Sequence, residues 1–425
     1  MSETFNYDDA NRTITHTDFK GQITTRVNDV MGRVSSISYD DGKSEGFTYW
    51  PSGQIKTATV SETGKDDIIT SYTYDNRDRL KTETQPNGTV LTYDYDANGN
   101  RTQVKTTRTV EGEEQTTTVD YTYDALNRLE TVTDSSGITT YTYDKVGNQK
   151  TITYANGIVT QYIYNDVNQL ENLITKNANG EVLSSYSYEL DNTGRRESIT
   201  EQSGRYTDYS YDNLYRLTDE VIKQSIDAVT EGYSANYQYD WVGNRTYETV
   251  DGVQTAYSYD LNDRLTSQGG TTYTYDDNGN TLTETLDSKV KTYSYDAKNK
   301  LIGVSTAESD VEVSSSAYSY NINGIRDSKT EDGVTTSYVV DSNRDYAQVL
   351  EEIVDGVTSV TYSYGHDLLS QNRSDEFKFY LYDGLGSTRA LSNSAGVLTD
   401  SYDYEAFGEV LNETGATDNN YKFTG

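Results

Sequence analysis

The sequence predicts an all-β protein, built of tandem β-hairpin repeats in one long antiparallel sheet that coils on itself. Three observations predict it. A Tyr-x-Tyr-Asp unit recurs from end to end, tight-turn dipeptides fall between alternating strands, and 41 tyrosines stand against only 2 prolines in 425 residues. Self-similarity at a near-fixed period is the mark of a repeat architecture and is settled before any other reading.

The unit has two versions. In one the turn ends in Arg-Leu, as in Tyr72-Thr-Tyr-Asp-Asn-Arg-Asp-Arg-Leu80, Tyr121 to Leu129, Tyr209 to Leu217 and Tyr257 to Leu265. In the other it ends in Gly-Asn, as in Tyr93 to Asn100, Tyr141 to Asn148, Tyr237 to Asn244 and Tyr273 to Asn280. The repeat-defining pairs are Tyr74-Asp75, Tyr95-Asp96, Tyr123-Asp124, Tyr143-Asp144, Tyr211-Asp212, Tyr239-Asp240, Tyr259-Asp260, Tyr275-Asp276 and Tyr295-Asp296. Asn165, Glu189 and Asn321 hold the Asp position in degenerate copies, and the marks lie 16 to 28 residues apart. The two versions alternate from Asp75 to Asn321, so two units make one structural period.

Each element follows from residue chemistry. Tyr-x-Tyr places both rings on one face of a strand and the intervening Thr or Ser on the other. The Asp closes the strand and caps backbone N–H groups of the turn. Gly-Asn supplies a positive φ in one version. In the other, Leu buries the start of the next strand and Arg reaches back to the Asp. An alternating strand such as Leu80 to Thr84 follows, then a tight turn at Asn87-Gly88, Ser136-Gly137, Asn156-Gly157, Ser203-Gly204 or Asp251-Gly252. Such dipeptides between alternating strands are strong hairpin signals. Longer hairpin tips are expected at Arg108 to Glu114 and Lys223 to Gly232. Tyrosines are expected to stack between successive strands, each ring pair contributing roughly 0.5–1.5 kcal/mol beyond burial. The run Tyr346 to Ile353 admits a helix, but the flanking β-pattern and the Asp355-Gly356 turn predict a strand.

The domain reading divides the chain into hairpin repeats over 1–329, degenerate repeats over 330–378 and a distinct segment over 379–425. Net charge is −33 with a pI near 4.3. That disfavours nucleic acid or an anionic membrane surface as partner, because both need a basic footprint. With no cysteine, disulfides and thiolate metal sites are excluded. No apolar run is long enough to span a membrane as a helix. The start, Met1 to Asp8, reads as repeat with no signal peptide, so Met1 is expected to begin a piece of a longer chain.

At these residues the chain resembles the YD-repeat (Rhs) family: bacterial Rhs and wall-associated polymorphic toxins, the C component of insecticidal toxin complexes, and animal teneurins. Asp383-Gly-Leu-Gly-Ser-Thr-Arg389 and Asp403-Tyr-Glu-Ala-Phe-Gly408 resemble the first half of the family's Rhs-associated core, with Tyr404-Glu405-Ala406 replacing its Tyr-Asp. The core-motif residues are Asp383, Gly384, Gly386, Arg389, Phe407 and Gly408. The resemblance implies a β-strip spiralled into a hollow shell around a C-terminal toxin, with the core segment curling in to plug one end. It also implies a secreted or cell-surface protein. The family's cleavage motif and toxin domain lie beyond these residues, so no self-cleaving residues are assigned.

Sharper chemical readings yield to structural ones. Asp94 to Gly99 mimics the start of a calcium loop, but Lys105 stands at its twelfth position and the text recurs as a turn. Gly384 to Arg389 lacks the third glycine and the following helix of a phosphate loop. Abundant carboxylates include no pair marked as a glycosidase dyad. His16 and His366 have no nucleophile or ligand partner at telling spacing. No catalytic residue, metal or cofactor is expected. The expected function is a non-enzymatic shell fragment that sequesters a C-terminal effector, with a shell-completing protein or glycans as further partners. The alternative is a cell-surface adhesin or carbohydrate-binding module using exposed tyrosines. A polysaccharide hydrolase ranks last.

Overall fold

The computed structural model describes residues 2–228 and 231–424. Those residues form 38 strands and no helix. Residues 229 and 230, within the long tip expected between Lys223 and Gly232, lie outside the described residues. Of the disputed run, Gln348–Val354 is a strand. Leu80–Thr84 and Val90–Tyr95 flank the expected turn at Asn87-Gly88, and Arg245–Val250 and Val253–Tyr259 that at Asp251-Gly252, whereas the turn expected at Ser136-Gly137 lies one residue earlier because Gly137 pairs with Asp134. Asp251 and Gly252 both have positive φ, 49° and 82°. Two successive left-handed residues match the right-handed twist of the flanking strands.

The chain forms two compact units, each drawn from two stretches of sequence. The first is Met1–Thr118 with Asp260–Ser359, and the second is Val119–Tyr259 with Val360–Gly425. Within each unit every stretch is an antiparallel meander in which a strand pairs with its successor, as Ile68–Tyr74 does with Leu80–Thr84 and Gly137–Tyr143 with Gln149–Thr153.

Register explains the faces. Tyr72 lies opposite Glu83, Thr73 opposite Thr82 and Tyr74 opposite Leu80, with an irregularity between Thr73 and Tyr74. The same irregularity precedes the second tyrosine at Tyr123, Tyr143, Tyr211, Tyr239, Tyr275 and Tyr295. A bulge at each turn end increases local twist. The first tyrosine of the pair turns inward: Tyr72, Tyr93, Tyr121, Tyr141 and Tyr237 are buried. The intervening hydroxyl residue turns outward and bonds its cross-strand twin, Thr73 to Thr82 at 2.6 Å and Thr142 to Thr151 at 2.6 Å.

The core of each unit forms where its two meanders meet. In the first, the Tyr93 hydroxyl donates to Asp341 at 2.9 Å and Arg101 pairs with the same fully buried carboxylate at 2.7 Å. In the second, Leu173, Tyr186 and Tyr188 cluster, and the Gly384 N–H donates to the Tyr188 hydroxyl at 2.6 Å. There too Tyr154 meets Phe379 edge-on at 6.4 Å.

Candidate functional site

The repeat turn is one geometry made twice over. In the Arg version, Asp124 Oδ1 accepts the N–H groups of Leu126 and Arg128 at 2.8 and 3.0 Å, while Arg128 Nε donates to Oδ2 at 2.7 Å. In the Gly-Asn version, Asp144 Oδ1 accepts from Val146, Gly147 and Asn148, and the Asn148 amide takes the place of the guanidinium. Asp96 and Asp240 repeat that pattern, and Asp75, Asp212 and Asp260 repeat the first. In Asp276 the Gly-Asn turn also receives Lys20 at 3.1 Å. At Asp296 the carboxylate accepts the N–H groups of Lys298 and Lys300. These donors hold Asp124 and Asp75 below the ordinary carboxylate range, the arginine hydrogen bond being the largest cause; Asp75 falls to about 2.

Both versions need a left-handed residue three positions after the Asp. Gly99, Gly147, Gly243 and Gly279 supply it in one. Asp78, Asn127, Tyr215 and Asp263 supply it in the other, with φ of 58°, 60°, 67° and 59°. The sequence reading assigned positive φ to the Gly version alone. The Asn and Asp residues at this place were the available signal, since both tolerate that region.

Where ring-on-ring tyrosine stacking was expected, the described repeat tyrosines also show another arrangement. The second tyrosine of most pairs hydrogen-bonds a backbone carbonyl of the preceding hairpin, Tyr95 to Leu80 at 2.9 Å and Tyr143 to Leu129 at 2.7 Å. The guanidinium of that hairpin's turn lies over its ring: Arg79 over Tyr95 at 4.5 Å, Arg128 over Tyr143 at 4.4 Å, Arg216 over Tyr239 at 4.7 Å and Arg264 over Tyr275 at 4.9 Å. Tyr211 bonds the Arg196 carbonyl and Tyr259 that of Arg245. The turn arginine thus meets the Asp with its edge and the next tyrosine with its face, coupling one hairpin to the next. Tyr74, Tyr123 and Tyr295 are half-buried at the same place in their strands.

The core-motif residues converge in the second unit. Asp383 closes a turn like those of the repeats, accepting from Leu385 at 2.9 Å and Ser387 at 3.1 Å, with Gly386 at φ 90°. Gly384 sits against Tyr188 and Leu170 with no room for a Cβ. Arg389, largely buried, donates to the Tyr402 carbonyl at 2.9 Å and pairs with Glu201 at 3.0 Å and Asp403 at 2.8 Å. Arg205 meets the same two carboxylates at 2.9 and 3.2 Å. Glu405 takes the Asp role in its turn, accepting from Phe407 and Glu409. Phe407 meets Tyr237 edge-on at 5.0 Å, and the Phe423 ring occupies the space beside Gly408. Asp383, Arg389, Glu405, Phe407 and Phe423 border a cavity of about 490 Å³ that sequence reasoning did not foresee, because its walls come from residues far apart in the chain.

The sharper readings find these places. Asp94 pairs with Lys81 beside the Asp96 turn. Gly384 to Arg389 runs from a turn into the strand Thr388–Ser392. His16 stacks on Phe5 at 4.5 Å, and His366 lies between Tyr141 and Tyr143, 2.8 Å from the Tyr143 hydroxyl. Among the described residues no group of three or more His, Cys, Asp or Glu is placed to hold a metal ion. Likewise no described helix is long and apolar enough to cross a membrane.

A meander of hairpins closed by Tyr-Asp turns defines a YD-repeat array. Residues 74–111 and 123–159 match the RHS Repeat family. Over 114 residues, 25% of this chain, the sequence is 32% identical to the tRNA3(Ser)-specific nuclease WapA of Bacillus spizizenii, covering 5% of that protein. The crystal structure of TcdB2-TccC3 without its hypervariable C-terminal region shares the fold, with a TM-score of 0.66 at 14% identity over 100% of this chain and 27% of that one. A Photorhabdus luminescens Tc holotoxin pore shares it too, at TM-score 0.64 and 15% identity over 97% of this chain and 25% of that one. The chain is thus similar to YD/Rhs-repeat proteins, and it spans only a minor part of each of these relatives.

Proposed function

We propose that this chain is wall: part of a non-enzymatic YD-repeat shell that encloses a C-terminal effector of its parent polypeptide, outside the producing cell or at its surface. In this reading residues 1–329 are the hairpin wall, 330–378 its degenerate continuation and 379–425 the first half of the core that turns inward. The observation that carries it is the likeness of the whole chain to part of the TcdB2-TccC3 fold. The partial relationship to the nuclease WapA supports a toxic cargo. The repeat carboxylates are engaged in closing turns, which supports a wall without catalysis of its own. The mechanism is steric: cargo behind a sheet of hydrogen-bonded hairpins is out of reach of its targets and of proteases.

The test is limited proteolysis of the parent polypeptide, this chain followed by its natural continuation. The downstream domain is expected to survive at least about tenfold longer than the same domain alone, the lifetime tracking the population of open shell. Equal digestion rates overturn the container reading.

A second reading, a surface adhesin, has one observation in its favour. The second residue after the Asp position is apolar and well exposed at Leu126, Val146, Val167, Leu214 and Val242, and Trp241 beside it is fully exposed. Saturable binding of a glycan or receptor protein that Trp241→Ala abolishes would move this reading to first place.

A further inference from the structure

The cavity in the second unit holds an arginine without an acid. Four arginines line it, Arg195, Arg196, Arg205 and Arg389. Three are paired: Arg195 with Asp191 at 2.6 Å, and Arg205 and Arg389 with Glu201 and Asp403. Arg196 has no carboxylate within ion-pair distance among the described residues. Its guanidinium stands 4.7 Å from the centre of the Tyr188 ring, and its charge acts on the phenols of Tyr188, Tyr209 and Tyr211. Neither neighbouring hydroxyl with a known partner is engaged with it: Tyr188 accepts from Gly384, and Tyr211 donates to the Arg196 carbonyl. The nearby Glu405 is occupied by its own turn and by Tyr237.

We propose that this cavity binds a carboxylate carried on an apolar body, with Arg196 as its anchor. A guanidinium presents a planar fork that fits a carboxylate with two hydrogen bonds, and such pairs are strong where the walls exclude water. In a chain of net charge −33 an arginine left without an acid is a conspicuous positive point. The lining also sets the rest of the ligand. Leu385 and Phe407 are half exposed, at 50% and 49%, and Phe423 lines the same cavity, so the ligand's body meets apolar surface. Glu201, Asp383 and Glu405 line it as well, and their charge disfavours a dianion such as phosphate more than a monoanion.

The experiment is calorimetric titration of the whole chain with two probes, 3-phenylpropionate and the blocked dipeptide acetyl-Phe-Glu-amide. Controls are acetate, 3-phenylpropanamide and inorganic phosphate. At least one probe is expected to bind saturably, at least about tenfold tighter than every control, and Arg196→Gln is expected to weaken it by about tenfold or more, the scale of one charge-assisted pair. Arg196→Lys should retain part of the affinity. Preference for the dipeptide assigns the site to polypeptide side chains, and preference for the free acid assigns it to a small organic acid. Either upholds the proposal. If Arg196→Gln melts early, Leu385→Asp at the exposed mouth serves instead, with the same expected loss. No binding of either probe by the unmodified chain, unchanged binding by both variants, or phosphate binding as tightly as 3-phenylpropionate overturns it.

Discussion

Gly147 and Gly384 are both small residues at turns, yet they are small for different reasons. Gly147 has φ 104° and a Cβ there would touch nothing within 4 Å, so only the backbone demands glycine. Gly147→Ala is expected to cost about 1–2 kcal/mol in urea unfolding, the penalty of a side chain in the left-handed region. Gly147→Asn should recover much of it, because Asn127 and Asn168 already hold that place in other turns. At Gly384 the backbone is ordinary, and a Cβ would fall 2.7 Å from Leu170 Cδ2 and 2.8 Å from the Tyr188 hydroxyl. Gly384→Ala is expected to cost about 1–3 kcal/mol by overpacking. Here Asn gives no recovery. Equal rescue by Asn at both sites would refute this division. The first glycine could be read from its turn; the second depends on a tyrosine that lies 196 residues earlier in the chain.

At the scale of the strand, each unit contains a carboxylate pushed toward neutrality. Glu83 faces inward from Leu80–Thr84 in the first unit, and Glu220 from Leu217–Lys223 in the second. Burial raises each from the ordinary carboxylate value to about 7, with Asp341 adding to the effect on Glu83 and Glu405 to that on Glu220. A folded-state pKa above the unfolded one means that the native state binds more protons. The stabilisation is then full below about pH 4.5 and is lost as pH rises through about 7. The turn aspartates act in the opposite sense, but their window lies lower: Asp75, held at about 2, loses its contribution only as pH falls below the ordinary Asp range. Between pH 5 and 8 each glutamate lowers stability as pH rises, by on the order of 3 kcal/mol, while His366, whose pKa burial lowers, acts in the opposite sense. Glu83→Gln and Glu220→Gln are each expected to flatten the stability profile across that interval. A profile that keeps its wild-type slope in both variants would contradict the assignment. Alternation counted from the half-buried Leu80 and Leu217 turns these glutamates outward; the irregularity at each turn end sets them opposite Tyr72 and Tyr209 instead, so neither their inward direction nor the acid that each faces was legible.

At the scale of the molecule, a repeat array is stabilised by neighbours and not by one central core. The last described residues show what this leaves to be covered. Tyr421 meets Tyr362 edge-on at 5.2 Å, Phe423 meets Tyr404 at 5.4 Å, and the Tyr380 hydroxyl bonds Asn419 at 3.1 Å. Removing residues 416–425 is expected to expose these tyrosines and speed amide exchange in Val357–Tyr364, Glu376–Tyr382 and Leu398–Tyr404. Exchange in Ile68–Tyr74 and Val90–Tyr95, which belong to the other unit, should stay unchanged. Uniform acceleration everywhere would mean that the chain opens as one cooperative block.

The sequence by itself determined what is local. Period-two alternation, the Asp cap and the dipeptide turns each act over a few residues, so strands, turns and the all-β class follow from residue types alone. Even the fate of Tyr346 to Ile353 was decided by its flanks. Only the tertiary structure decided which hairpin meets which. Arg389 reaches Glu201 across 188 residues, and Tyr93 reaches Asp341 across 248. The reason is the repeat itself: units of nearly the same text are nearly equivalent partners, and the choice among them is made by twist accumulated strand after strand, which no single unit encodes. The same accumulation brings Arg389 to Glu201 and Arg205 to Asp403, whereas Arg195 meets Asp191 within its own turn and Arg196, the next residue, faces a cavity.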